Sequence, residues 1–424
     1  MASTFAIAWT TRGKPRRSTL IQSETTVTKC RENKGLDAPA LSVITFPLKA
    51  YNGPLKAGRG VTLKTIDLMY STMLAELGQR SLDGAFSTDF PTDGNFVSVP
   101  VKGRAYWYFD QPGQKRRYVG PADDEEISRR VSDFQAVKDD LRARRKLVST
   151  LTREAYLPTP ERLSGDVVEA LANAGLFRLR GVLVGTVAFG CYAGLLGVRL
   201  PTASLQTGDA DFAQDFAVSA EVLDSIPPIL DVLHAVDPSF RAIPHPSGKH
   251  GSTAFVNKGG YRVEFLTGNR GSDDFTGKPS PMPALGGASA EPLRFLDFLI
   301  YEPVRAIVLH GSGVSVLVPA PERYAVHKVI VATRRLTDGH GREKSAKDLM
   351  QAGLLFEAMR DTRRSDDLAL AWAEAWGRGD AWREALSKGL EMMPERARTI
   401  STAALFEGFG RIKEKPENFG FVVY

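Results

Sequence analysis

Cysteine is nearly absent: Cys30 and Cys191 are the two thiols in 424 residues. That excludes a disulfide framework and a thiolate metal centre, and it points to a reducing, cytoplasmic compartment. Long apolar runs are equally scarce. Gly181 to Val198 carries no charge and reaches the lower limit of about 18 residues for a membrane span. It holds five glycines, however, and Arg180 and Arg199 close its ends, so it reads as a buried strand running into a helix. No partner membrane is expected. There is no internal repeat, and a 43% hydrophobic, 25% charged composition excludes wholesale disorder and collagen-like structure.

A basic body is also missing. The chain has a net charge of +6, but residues 1–60 hold ten Lys/Arg against three acids, which leaves −1 for everything after residue 60. Phosphate contacts along a nucleic acid need many cations, so the body argues against a long nucleic-acid substrate. Residues 1–60 are Ser/Thr-rich, Pro/Gly-punctuated and weakly periodic. They read as a flexible basic tail or an upstream start carried into the frame, with a transit peptide as the alternative.

The remaining pattern predicts an α/β (α+β) chain in three further parts. The first, 61–154, opens with helical spacing over 63–77. A small antiparallel meander follows, with strands around Phe96–Val101, Arg104–Phe109 and Arg116–Val119, then a long amphipathic helix over 123–151 with an acidic start and a basic end. The second, 155–320, alternates strands near 179–184, 209–213, 253–257, 261–267, 304–309 and 314–318 with a helix over 219–235. The third, 321–424, is helical to about residue 409, with helices near 322–334, 343–360, 364–377 and 380–391.

Three features of the middle part fit one chemistry. Leu183-Val184 is a strand that ends in Gly185-Thr186 and enters a helix, where a glycine lets backbone amides approach a phosphate. In Thr207-Gly-Asp-Ala-Asp-Phe, Asp209 and Asp211 are two apart, so a strand projects both carboxylates to one side. Such paired oxygen ligands suit Mg²⁺ and are costly to juxtapose without a cation. Tyr261-Arg-Val-Glu-Phe-Leu is an alternating strand whose acid, Glu264, stands 53 residues after Asp211. Three carboxylates can hold two metal ions for in-line displacement at phosphorus. Taken singly, an Asp-x-Asp is more often turn chemistry, and a strand acid more often faces water.

This order of elements resembles the polymerase-β-type nucleotidyltransferase superfamily. The stretches Gly185-Thr-Val-Ala-Phe, Tyr192-Ala-Gly-Leu-Leu-Gly197, Thr207-Gly-Asp-Ala-Asp-Phe, Pro321-Glu-Arg-Tyr-Ala-Val-His-Lys328 and Lys347-Asp-Leu-Met-Gln-Ala352 resemble a bacterial family of nucleotidyltransferase-fold proteins. The resemblance covers roughly residues 95–360. It implies a nucleotidyltransferase mixed-sheet core over 155–320, carrying an N-terminal β/helical appendage and a C-terminal helical domain. It also implies transfer of a nucleoside monophosphate from an NTP to a hydroxyl with two Mg²⁺ (or Mn²⁺) ions. Asp209, Asp211 and Glu264 would hold the metals, with Glu264 helping to activate the acceptor. Gly185 and Thr186 would cradle the triphosphate, and Lys328 or Lys347 would neutralise its charge. Thr186 stands where Ser or Gly is usual, and Glu264 where Asp is commoner. The acceptor stays open among RNA, protein and a small molecule, and so does use of the chemistry as a toxin or defence factor.

A different class of function is also open at this stage. Tyr106, Trp107 and Tyr108 with Lys115, Arg116 and Arg117 either stack bases, as a non-catalytic binding protein would, or pack the hairpin onto the long helix. His327 is either a nucleotide contact or a core histidine, and Arg270 either reaches substrate or is solvated. His245 and His250 lack the further ligands of a zinc site. Gly311-Ser-Gly313 reads as a hairpin turn.

Overall fold

The computed structural model describes residues 63–422 apart from 86–93, 102–103, 114–115, 202–206, 222–224, 247–250, 270–277 and 336–337. The basic segment 1–60, Lys115, His250 and Arg270 therefore lie outside the described residues.

The first helix, α1 (Leu68–Ala85), begins later than its apolar spacing predicts. Residues 63–67 are extended instead: Arg199 donates its N–H to the Lys64 carbonyl at 2.8 Å, and Ile66 donates to the Gly197 carbonyl at 2.9 Å. Leu63 and Ile66 thus enter the core from a strand-like segment, and the Asp67 carboxylate accepts from the Met69 amide where the helix starts.

The meander forms as expected, from β1 (Asn95–Val101), β2 (Arg104–Asp110) and β3 (Arg117–Pro121), followed by α2 (Glu125–Arg153). Phe96, Phe109 and Trp107 meet that helix, whereas Tyr106 and Tyr108 take the other parity of β2 and are partly exposed. Phe96, Phe109 and Phe134 of α2 form one cluster with centroids 4.9–6.0 Å apart. The Trp107 indole donates to Ser128 at 3.0 Å, and Arg116 pairs with Asp110 at 3.1 Å.

After α3 (Arg162–Asn173), the chain lays down β4 (Val182–Val184), α4 (Gly185–Leu196) and β5 (Asp209–Ala213). The uncharged run 181–198 is therefore a buried strand and a 12-residue helix that is apolar nearly all round, as a helix enclosed by protein should be. No described helix is long and apolar enough to cross a membrane. The helix expected over 219–235 is two short ones, α5 (Phe216–Glu221) and α6 (Ile229–His234). Pro227 and Pro228 lie between them; neither has an N–H for a helix ladder, and their rings clash with a preceding turn.

Then come β6 (Arg241–Ile243), β7 (Ala254–Val256), β8 (Arg262–Gly268), β9 (Ser280–Pro281) and β10 (Ser289–Leu293). The sheet is mixed. β5 lies between antiparallel β4 and parallel β8, while the other edge of β8 is shared by antiparallel β7 and parallel β10. Alternation sorts its two faces. Ala210, Phe212, Val263 and Phe265 are buried, with Phe212 stacked on Phe265 at 5.8 Å, whereas Asp209, Asp211, Arg262 and Glu264 take the opposite parity.

α7 (Leu296–Ile300) leads to a separate hairpin, β11 (Val304–Val308) and β12 (Val314–Val318). Its turn contains Gly311 and Gly313, both at positive φ, so this is a hairpin turn as expected. Five helices follow: α8 (Pro321–Ala332), α9 (Gly339–Asp361), α10 (Ser365–Gly377), α11 (Asp380–Met392) and α12 (Glu395–Ile412). Trp372, Phe356 and Phe409 are buried among them.

Truncating Phe134 to Ala empties the aromatic seat beneath the meander. We expect a loss of about 3 kcal/mol, read as an earlier denaturant transition of the Trp107 fluorescence.

Candidate active site

Strand register assembles the carboxylates. In the parallel β5–β8 pair, Asp209 stands opposite Arg262 and Asp211 opposite Glu264. All three acids share one face of two adjacent strands. The Asp211 carboxyl is pushed up to about 7, first by burial and then by the charges of Asp209 and Glu264, against which Lys328 and Lys344 act. Two local contacts moderate this crowding. Arg262 pairs with Glu264 at 2.7 Å, and the Thr207 hydroxyl donates to the Asp209 carboxylate.

Gly185 is required by geometry. Val184 pairs with Asp211 across the β4–β5 ladder, which brings the start of α4 directly over that carboxylate. Gly185 has φ +68°, and a Cβ there would stand 2.4 Å from Asp211 Oδ2. Positive φ and this close approach together admit only a residue without a side chain. α4 begins without a side-chain cap, so the amides of its first turn and the positive end of its dipole are presented beside the acids, with Thr186 partly exposed next to them.

Tyr324 holds this turn from above. Its hydroxyl donates to the Gly185 carbonyl at 2.9 Å and lies 3.1 Å from the Gln351 side-chain amide. Tyr192 packs edge-on against its ring at 5.0 Å and donates its own hydroxyl to the Pro319 carbonyl.

The two lysines differ. Lys328 is buried and bonds to Asp348 at 2.5 Å, while Arg335 takes the other oxygen of the same carboxylate at 2.8 Å. Lys328 therefore ties α8 to α9, although its charge still reaches Asp211. Lys347 is held below the usual lysine range by burial and by Lys328, with Asp209, Asp348 and Asp211 opposing. Its ammonium group thus lies within electrostatic reach of the carboxylate face. His327 is buried and pushed down to about 3 by burial and Lys328, which makes it a neutral core histidine.

Arg262, Tyr324, Lys344, Asp348 and Gln351 were not singled out from the sequence. Arg262 carries a readable signal, since it is two residues from Glu264 on an alternating strand. The others lie in or beside the quoted helical motifs, but their partners are set by how α8 packs on α9. A second polar group joins α3 to the β11–β12 turn. There His310 Nε2 is 2.8 Å from Asp166 and 3.8 Å from Glu169, and one ligand atom from each lies within 4.8 Å of the others. His245 pairs with Glu291 at 3.0 Å.

Two outcomes follow for the carboxylate face. Gly185→Ala forces the turn away from Asp211, and we expect a lower melting temperature. Because the folded-state value of Asp211 lies above its unfolded value, the folded chain binds the extra proton, and stability is lost as pH rises from about 4 through about 7. Asp211→Asn should therefore raise the melting temperature in EDTA at pH 8 by a few degrees, with the gain vanishing near pH 4. Differential scanning calorimetry across that range checks both.

Comparison with known proteins adds a family. No curated protein and no solved structure matches the chain significantly. A family model described as a nucleotidyltransferase matches residues 162–377, from the first residue of α3 to the last of α10, and so spans half of the chain and every element of the carboxylate face. With a mixed sheet, an Asp-x-Asp strand and a glycine turn over the acids, the chain belongs to this nucleotidyltransferase family and is a nucleotidyltransferase enzyme.

Proposed function

We propose that the chain moves a nucleoside monophosphate from an NTP to a hydroxyl acceptor at the face formed by Asp209, Asp211 and Glu264. The observation that carries this is the register pairing of Asp211 with Glu264 directly beneath the Gly185 turn. It sets a carboxylate cluster against an uncapped helix N-terminus.

The acids fit divalent cations. All three are hard oxygen donors on one face, and Asp211 is pushed up by burial and then by the charges of Asp209 and Glu264, a crowding that a cation would relieve. Asp209, Asp211 and Glu264 would hold Mg²⁺ or Mn²⁺, which would supply charge neutralisation and polarisation of the phosphoryl oxygens.

The chain's own groups supply the rest. The first-turn amides of α4 and the Thr186 hydroxyl bind the triphosphate, and Gly185 gives them the close approach. Lys347, with Lys344 on the same helix, offsets phosphate charge. Lys328 holds α8 against α9 through Asp348, and Tyr324 keeps the Gly185 carbonyl turned away from the phosphates. Glu264 orients the acceptor hydroxyl and receives its proton. The acceptor oxygen bonds to the α-phosphorus, the bond from that phosphorus to the β-bridging oxygen breaks, and pyrophosphate leaves with the electron pair.

Incubating the protein with each α-labelled NTP, Mg²⁺ and a cell extract tests this. Label should move to an acceptor with release of pyrophosphate. Asp209→Asn should lower the rate by roughly two orders of magnitude or more, and omission of the divalent cation should abolish transfer. Transfer that survives Asp209→Asn and Asp211→Asn together would place the chemistry elsewhere.

A further inference from the structure

A cavity of about 310 Å³ lies between α1, the 157–161 segment, α4 and β11. Thr186 and Thr207 line one end of it. Thr186 follows Gly185, and Thr207 is the residue whose hydroxyl donates to Asp209, so cavity and carboxylate face share a wall. Away from that end the wall is mainly aliphatic, with Leu74, Val187, Leu195 and Ile307 among its residues. Among the described residues no aromatic ring lines it, and Arg305 and Glu161 are its one cation and one carboxylate, so the lining carries no net charge.

That lining discriminates between occupants. A triphosphate needs several cations, and those near the acids, Lys344 and Lys347, sit on α9, which contributes nothing to this wall. A nucleobase or single-stranded nucleic acid gains most from stacking on rings, and a nucleic-acid backbone from clustered Lys and Arg. A mainly aliphatic slot, partly open to solvent and at the small end of the volumes that hold small ligands, with the Thr186 and Thr207 hydroxyls on its carboxylate side, suits a compact molecule with an apolar body and a polar tip.

We infer that this cavity is the acceptor site, and that the acceptor is a small uncharged molecule with an apolar body whose hydroxyl meets the α-phosphate at the Thr186–Thr207 end. The inference rests on the nucleotidyl-transfer reading of the carboxylate face. The acceptor's hydroxyl oxygen replaces the β-bridging oxygen on the α-phosphorus, its proton passes to Glu264, and pyrophosphate departs. The product is a phosphodiester of the small molecule.

Ala75 makes the test clean. It is an exposed residue of α1 that lines the cavity and lies on a different element from Asp209, Asp211 and Glu264, so Ala75→Trp narrows the slot without replacing a buried residue. In one arm, the melting temperature of the full chain is followed with primary aliphatic alcohols of four to eight carbons. The wild type should be stabilised with the logarithmic concentration dependence of a single site, relative to Ala75→Trp at the same alcohol concentration. In the other arm, α-labelled NTP and Mg²⁺ are supplied with a deproteinised, ribonuclease-treated small-molecule extract. A labelled product retained on a reversed-phase column is expected, and Ala75→Trp should raise the acceptor KM at least about tenfold with NTP affinity unchanged.

Absence of alcohol binding, or small-molecule labelling indifferent to Ala75→Trp, overturns the cavity assignment alone. Label that moves to RNA or protein while the small-molecule fraction stays unlabelled overturns the acceptor class. Alcohol binding with no transfer to any acceptor overturns the nucleotidyl-transfer reading, and the acceptor assignment falls with it.

Discussion

Three like charges forced onto one sheet face are the constraint around which the middle of this protein is arranged. Parallel pairing of β5 with β8 places Asp211 beside Glu264, and the two-residue period of a strand adds Asp209. Burial first, and then the repulsion within such a cluster, push Asp211 up to about 7. The surroundings answer the repulsion without removing it. Arg262 takes Glu264, a threonine hydroxyl takes Asp209, and lysines of α8 and α9 act from further off. Charge compensation that stops short of completion is what a site for a cation and an anionic nucleotide requires.

The helical part contributes through a small number of polar links. Asp348 is almost wholly buried and carries two cations, Lys328 and Arg335, so the junction of α8 and α9 is a desolvated three-charge network. Removing one member of such a network leaves an uncompensated buried charge, which costs far more than an exposed pair is worth. Tyr324, on the same helix, reaches from this junction to the Gly185 carbonyl. The glycine turn is thus gripped by the carboxylate ladder on one side and by the helical layer on the other. On the proposed reading, in which this turn binds phosphate, being held from two sides organises it before substrate arrives.

The N-terminal elements have a different part. The meander seats Phe96 and Phe109 against Phe134 of α2, and α1 lines one side of a mainly aliphatic cavity that Thr186 and Thr207 also line. On the acceptor-site inference, nucleotide chemistry and acceptor choice fall to different layers. α4 belongs to both, since its first turn faces the acids while Val187, Cys191 and Leu195 line the cavity. Burial pushes the Cys191 thiol up to about 12, so it acts as an apolar wall and not as a nucleophile.

Much of this was legible in residue order. Alternation marked the strands at 209–213 and 261–267, the Gly-Thr after an apolar strand marked the start of α4, and the spacing of acids put Asp209, Asp211 and Glu264 in one hypothesis, because strand parity is a local property. The split of the 219–235 helix is readable in Pro227-Pro228, a signal the single-helix reading did not use. What local pattern could not carry were relations between distant segments. Nothing in the order of residues says that β8 lies parallel to β5 in the register that pairs Asp211 with Glu264. Nor does it say that Lys328 meets Asp348 instead of standing free, that Tyr324 bonds to Gly185, or that α1 and β11 enclose a cavity beside Thr186. Each of those depends on packing between elements far apart in the chain, where burial and shape select the partner, whereas the kinds of chemical group and the face they occupy follow from neighbours one or two residues away.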